Sequence, residues 1–406
     1  MYKKNWLLMV AMVMILGCRD DDDTFETRII KFSVPDNYIQ ANNTYWIAMS
    51  DNAGEILDSK RLENGKTYTF ILPPAAASVN LTTVWDRGNA EYIGTYTDVP
   101  PGEYGFPATV ASPALGEPAS LFIEMPDPQN FVFQTRGTAL SIGTEIIEHP
   151  TPGRRFLVYP AASKNSMTFL LMAFSKPPFK YMYTHLESNQ SYTRTQADFQ
   201  TTTLKRIGVQ PADFTDARIS GINSDGKFAY FDSSGENVER PTETAINLPD
   251  MPQLFTSYIV DVTLNDWSAR VNHGYVAEHK TLPDSIPMLE GTIENLQIDD
   301  ESVSWETRSN EEITMTATHA SGFLSDGSYA VWSVYGPGGK QRVVLPRILG
   351  LNTETTFASL ATKVLWATME VSLEHDNYQD YMVRNLLPDV YERERLYKRV
   401  SRQLAP

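Results

Sequence analysis

Tyr45-Trp46-Ile47-Ala48-Met49, then Asp51-Asn52-Ala53-Gly54, then Glu55 to Asp58, is an alternating segment, a break of small and polar residues, and a second segment. An extended chain points successive side chains to opposite faces, and a break of this composition suits a tight turn, so the stretch predicts a β-hairpin. Thr67 to Leu72, ending at Pro73-Pro74, repeats the pattern. Short segments rich in Val, Ile, Thr, Tyr, Phe and Trp, bounded by Asn, Asp, Gly and Pro, continue along the chain. This is the strand signal, and it predicts a mainly β body. The 25 prolines and 23 glycines are spread rather than clustered, as turn punctuation requires.

Residues 31–70 align without a gap on residues 155–194, a shift of 124. Phe32 meets Phe156, Val34 meets Val158, Thr44 meets Thr168, Leu62 meets Leu186, Glu63 meets Glu187, Tyr68 meets Tyr192 and Thr69 meets Thr193. The match predicts two similar strand-rich units. A third follows residues 280–287, with Val303-Ser304-Trp305, Ile313 to Ala317, and Tyr329 to Tyr335 ahead of Gly336-Pro337-Gly338-Gly339. An early-strand Trp305 followed by a late strand at Tyr329 resembles fibronectin type III domains. That resemblance implies a sandwich of the immunoglobulin type, and alternating strands with frequent turns must in any case bury one face against another sheet. From Pro388-Asp389 to Leu404, Asp389 as a cap and the spacing of Val390, Tyr397, Val400 and Leu404 predict a helix with a basic outer face. That face suits docking on a membrane, on an acidic partner or on the protein's own acidic body.

The opening residues carry a different message. Lys3 and Lys4 precede an apolar run from Trp6 to Leu16, which Gly17-Cys18 ends. The run is shorter than the about 20 residues a spanning helix needs and fits the about 7 to 15 of a signal-peptide core. Ile15-Leu16-Gly17-Cys18 resembles the lipobox of bacterial lipoproteins. The resemblance implies cleavage between Gly17 and Cys18 and lipid attachment at Cys18. Cys18 is the only cysteine in the 406 residues, so no disulfide forms within one chain. Asp20 to Asp23 follow as a self-repelling, solvated tether. An acidic patch at this place resembles the surface-export signal of Bacteroidetes-type lipoproteins, which implies an outer-membrane anchor with the body on the cell surface.

The expected layout is therefore a signal peptide at 1–17, a lipidated cysteine and tether at 18–27, β-sandwiches at 28–147 and 148–285, a fibronectin-III-like sandwich at 286–375 and a C-terminal helix at 376–406. The fold class is mainly β, with two or three tandem immunoglobulin-like β-sandwich domains and a short C-terminal α-helix.

Composition narrows the chemistry. Loss of Lys3 and Lys4 leaves 32 of the 34 basic residues against 50 acidic ones and moves the formal charge from −16 to −18. Such a body repels phosphate polymers, so no nucleic-acid partner is expected. A body without cysteine has no thiolate nucleophile and no cysteine metal ligand. The six histidines show no i, i+4 helical pair, although a loop could bring His273 and His279 together. Gly336-Pro337-Gly338-Gly339-Lys340 lacks the Lys-Ser/Thr ending of a phosphate loop, and Asn223-Ser224-Asp225-Gly226 is too short for a calcium loop. No cofactor, metal or catalytic residue is expected.

Aromatic residues make up 11% of the chain. Trp85, ahead of Asp86-Arg87-Gly88-Asn89 at a strand end, is the candidate ligand contact, where an indole and polar neighbours could meet a glycan. Trp46, Trp305, Trp332 and Trp366 lie inside alternating strands and are expected in the core. The expected function is a membrane-anchored, extracytoplasmic binding module for a glycan or protein ligand. Its alternatives are a fimbrial or adhesive subunit and a glycoside-hydrolase-type enzyme.

Overall fold

The computed structural model describes residues 28–106, 113–126, 132–137, 141–148, 151–174, 179–208, 214–232, 245–299, 301–339, 342–347, 356–375, 377–380 and 396–404. The leader, Cys18 and the acidic tether lie outside these residues.

The described chain is mainly β, as its alternation requires. It opens with β1 (Ile29–Ser33), β2 (Thr44–Ser50), β3 (Ile56–Arg61), β4 (Thr67–Ile71), β5 (Val79–Asp86), β6 (Ala90–Val99) and β7 (Gly102–Gly105). β1 pairs antiparallel with β4 and parallel with β7, and this small sheet lies over β3-β2-β5-β6. Alternate residues supply the filling: Ile30 and Phe32 from β1, Ile47 and Met49 from β2, Phe70 from β4 and Leu81 from β5 share one core. Each is removed from water, a contribution of about 1.5–3 kcal/mol per side chain. Lys31, between two of them, instead reaches Glu103 of β7 at 2.8 Å.

The next strands are β8 (Ala119–Glu124), β9 (Val132–Gly137), β10 (Ser141–Ile147), β11 (Gly153–Tyr159), β12 (Ser166–Phe174), β13 (Lys180–Glu187), β14 (Ser191–Thr195) and β15 (Gln200–Thr201). They form sheets β10-β11-β8-β14 and β15-β13-β12-β9, with Leu121, Phe156, Val158, Phe169 and Leu186 between them. The shift of 124 residues carries β4 onto β14 end for end, and β2 and β3 onto parts of β12 and β13. The surroundings differ: β4 pairs with β1, whereas β14 runs parallel to β8, which separates it from β11.

The remaining strands are β16 (Thr203–Gly208), β17 (Phe214–Asn223), β18 (Gly226–Asp232), β19 (Ala245–Asp250), β20 (Ser257–Asp266), β21 (Val271–His279), β22 (Gly291–Ile298), β23 (Ser302–Ser309), β24 (Met315–Phe323), β25 (Tyr329–Pro337), β26 (Arg342–Val344), β27 (Val364–Ser372) and β28 (Tyr397–Leu404), with a short helix α1 (Phe357–Ala361). One sheet of twelve strands runs through the molecule in the order β18-β17-β20-β21-β28-β27-β24-β25-β6-β5-β2-β3. Its single parallel joint, β25 with β6, sets Tyr329 to Tyr335 beside Ala90 to Tyr96. Strands from all three expected sandwich units thus share one sheet. The expected boundary between 147 and 148 falls in the turn between β10 and β11, which share a sheet, and the later boundaries are bridged by the large sheet.

Two further layers cover this sheet. Leu170 and Met172 of β12, Ile207 of β16 and Leu248 of β19 pack on Ile219, Val260 and Val262. β12 therefore buries both faces, which explains its unbroken apolar run from Phe169 to Met172. Elsewhere Ile293 of β22, Val303 and Trp305 of β23, Val343 of β26 and Phe357 of α1 pack on Val84, Ile93, Trp332 and Val400.

The C-terminus corrects one expectation. Residues 397–404 form a strand rather than the end of a helix, inserted between β21 and β27 with antiparallel partners on both sides. Ladders on both edges satisfy the backbone and override local helix propensity. Residues 388–395 lie outside the described residues. The expected basic outer face is divided between the two faces of the sheet: Lys398 and Arg402 share a face with Val400, and Arg399 lies on the other; Lys398 pairs with Glu311 at 2.8 Å.

Candidate functional site

The hairpin that opened the sequence also builds one wall of a cleft. Asp51 Oδ1 accepts hydrogen bonds from the Ala53 and Glu55 backbone N–H groups, both at 2.9 Å, and closes the turn between β2 and β3. Gly54 has φ +84° and lies so close to β26 that a Cβ there would stand 2.9 Å from Val344 Cγ1. Glycine meets both demands, the left-handed backbone and the close approach. Between this hairpin and the segment from Val344 to Arg347 opens a cleft of about 760 Å³, within the range of ligand pockets.

Its apolar lining comes from the large sheet and from the end of β26 and the residue after it. Ala48, Val84 and Leu345 are buried residues of that lining, whereas Trp46 is 42% exposed. Strand alternation explains this: Tyr45, Ile47 and Met49 fill the N-terminal core, so Trp46 points to the other face, beside Val84 of β5 and Arg61 of β3. The cleft is also lined by Glu55, Asp86, Glu91 and Glu301, with Arg347. Arg347 Nη2 donates to Glu301 Oε1 at 2.6 Å. Asp86 and Glu91 are direct cross-strand partners on β5 and β6. Like charges set opposite each other disfavour the pairing unless donors or cations compensate; Asp86 Oδ1 accepts from the Gly88 backbone N–H at 2.6 Å.

No family model matches the chain, and no curated protein matches it. The functional reading rests on the cleft's own chemistry.

Trp85, the residue singled out from sequence, lies one strand away on the opposite face. Its ring stacks on Tyr45 with centroids 5.4 Å apart and 18° between planes, and Tyr92 lies 5.1 Å away. The Arg87 guanidinium stands 3.6 Å from the ring centroid. Tyr45 and Arg87 thus occupy the stacking surface a sugar would need, and Trp85 does not line the cleft. Trp305 and Trp332 are buried as expected, the latter donating through Nε1 to Thr95 Oγ1 at 3.0 Å. Trp366 of β27 is only half-buried, and Trp46 is the clear exception. Its outward direction was legible from alternation with Tyr45, Ile47 and Met49; what covers that face was not.

The other candidates resolve structurally. His273 and His279 both lie on β21, and six residues of extended chain separate them by about 20 Å. His279 Nε2 instead meets the Tyr275 hydroxyl at 2.8 Å. Asn223 to Gly226 form the β17–β18 turn, where Asp225 accepts from the Tyr183 hydroxyl. Burial first and then Asp225 push the Tyr183 phenol up to about 12. Gly338 begins a turn packed against Ile313. Among the described residues, no three His, Cys, Asp or Glu side chains converge as a metal site. Exposed Trp267 and Phe323 lie outside the cleft.

Proposed function

We propose that this protein is a lipoprotein, anchored in the outer membrane through Cys18 and displayed on the cell surface, whose β body binds a glycan in the cleft beside Trp46. One observation carries the reading: Trp46, 42% exposed, lines a cleft together with buried apolar residues and four acidic ones. A pyranose ring offers one face of C–H groups and a rim of hydroxyls. The face stacks on an aromatic ring, and the hydroxyls donate to carboxylates, so the ligand loses little hydrogen bonding as it leaves water. The body's strong negative charge keeps it soluble and away from anionic surfaces.

The position of the cleft suits display. The chain enters the described body at Arg28, whose Nη1 reaches Ala76 O at 3.3 Å, just before β5 begins. Asp86 closes the other end of β5, about 23 Å away along the strand.

The alternatives draw less support. An adhesive subunit would pair through a free sheet edge, yet β3, at one end of the large sheet, carries Asp58, Lys60 and Arg61, charges of the kind that discourage edge pairing. A glycoside hydrolase needs an acid and a base flanking the scissile bond. Asp86 and Glu91 stand side by side on one sheet, and Glu301 is engaged by Arg347.

A glycan array probed with the purified chain tests the proposal. Selective binding that disappears in Trp46→Ala is expected. A uniform response to every sugar, unchanged by that substitution, would remove the basis for the glycan reading.

A further inference from the structure

We infer that the protein pairs with a second copy of itself, antiparallel through the outer edge of β10, with Thr144 facing Thr144 across a two-fold axis. The inference goes beyond the glycan reading and does not depend on it. Among the described residues, β10 is an end strand of the sheet β10-β11-β8-β14, and no strand lies beyond it. Its ladder with β11 runs unbroken from Ser141 to Ile147. About half of its backbone N–H and C=O groups therefore point away from β11. Natural edges are blunted by charge, proline, a bulge or short length. β10, Ser-Ile-Gly-Thr-Glu-Ile-Ile, has seven residues, no proline and no shift of register. Its one charge, Glu145, is turned back towards β11, where Arg155 Nη1 lies 3.6 Å from its Oε2. Other end strands are blunted: β3 carries Asp58, Lys60 and Arg61, β22 breaks register after Glu294, and β15 has two residues.

A second copy is the partner because the strand is complementary to itself. Alternation puts Ile142, Thr144 and Ile146 on the core side, level with Val158, Phe156 and Arg154 of β11. Ile142 packs on the core of this sandwich, whereas Ile146, at the far end of the row, is 45% exposed. A two-fold axis normal to the sheet sets two copies antiparallel and keeps their core sides together. With Thr144 at the axis the strand pairs along its whole length, and Ile146 of each copy meets Ile142 of the other as a direct cross-strand partner. The exposed Ile146 gains an apolar neighbour, and the core continues from one copy into the next. Glu145 falls opposite Gly143, so like charges are not set against each other. An axis at Glu145 would oppose the two glutamates, and an axis at Gly143 would carry Ile146 past the end of the other copy's strand. The two-fold closes the contact after two copies, which makes a dimer and not a fibre.

Two measurements on the full chain in mild detergent test the pairing. Sedimentation should find two copies per particle at about 50 μM, and Thr144→Lys, which sets two ammonium groups face to face at the axis, should raise the dissociation constant at least about tenfold. Thr144 is exposed, so the substitution leaves the monomer folded, and circular dichroism checks this. Disulfide trapping then tests the register. In chains carrying Cys18→Ala the introduced thiol is the only one. Thr144→Cys should be trapped as a covalent dimer at least about tenfold faster than Ser141→Cys, because residue 141 of one copy stands about 20 Å along the strand from residue 141 of the other. Single copies at every concentration, or a dimer indifferent to Thr144→Lys, would overturn the inference. Trapping at equal rates from positions 144 and 141 would overturn the register, and particles of more than two copies that Thr144→Lys disperses would overturn the closed pair. The sedimentation of the unmodified chain and the trapping stand even where Thr144→Lys fails to fold.

Discussion

The Tyr68 hydroxyl accepts a hydrogen bond from the backbone N–H of Glu63 at 2.8 Å. At a distance of 124 residues, Tyr192 does the same for Glu187 at 3.0 Å. In both places the bond spans the turn between the third and fourth strands of the repeated unit, fixing the turn while Leu62 or Leu186 enters its core. Both tyrosines and both glutamates are identities of the sequence repeat, which assigns the repetition to a specific contact.

Tyr68→Phe and Tyr192→Phe should each therefore cost about 0.5–1.5 kcal/mol, the net value of one such bond. Because the two tyrosines pack on different cores, the double substitution should be additive within about 0.5 kcal/mol. Urea unfolding of the four proteins measures this. A neutral result at either site would mean that the hydroxyl is not holding the turn.

The two tryptophans of the first unit should separate stability from binding. Trp85→Ala removes a ring packed between Tyr45, Tyr92 and Arg87. It should cost about 2–4 kcal/mol, toward the lower part of the range for large core residues because the ring is only partly buried. Trp46→Ala should change stability by less than about 1 kcal/mol, as truncation of an exposed side chain does, while removing ligand binding. Denaturant midpoints alongside glycan binding check the pair, and the reverse pattern would exchange their roles.

His319 on β24 should make the fold sensitive to mild acid. Its Nδ1 lies 2.8 Å from Ser333 Oγ and its ring meets Tyr335 edge-on. Burial, and then the charge of Arg399, hold its pKa down at about 4, against 6.5 for the free side chain. The unfolded chain therefore takes up a proton between these values while the folded chain does not. The associated stability is full above about pH 6.5 and is lost as the pH falls toward 4, a change of about 3 kcal/mol. His319→Gln should flatten that portion of the stability profile in urea titrations near pH 7 and pH 4.5. An unchanged slope would place the acid sensitivity elsewhere.

Metabolic labelling with a radioactive fatty acid should mark the wild-type protein and leave Cys18→Ala unmarked, since Cys18 is the sole cysteine. Label retained in the variant would contradict the anchor.

By itself the sequence determined the parts. Alternation of period two and Asn, Asp, Gly and Pro breaks sufficed to identify a mainly β chain, because side-chain direction along a strand is fixed by local geometry. The same rule set Tyr45, Ile47 and Met49 against Trp46, and the repeat brought out Tyr68 with Tyr192 before any fold was known. Which edges join was decided only in three dimensions. Ladder bonds between β25 and β6, or along β28 between β21 and β27, link segments far apart in the chain and leave no local trace. For the same reason Tyr397 to Leu404 read as a helix: the spacing of Val400 and Leu404 suits either form, and the neighbouring strands chose. The candidate site follows this division. The sequence could aim Trp46 away from the first core, but whether another layer would bury it depended on where β22, β23 and β26 settled. They cover Val84 and Ile93 and leave Trp46 partly exposed, so the cleft arises from the packing of layers that are distant in sequence.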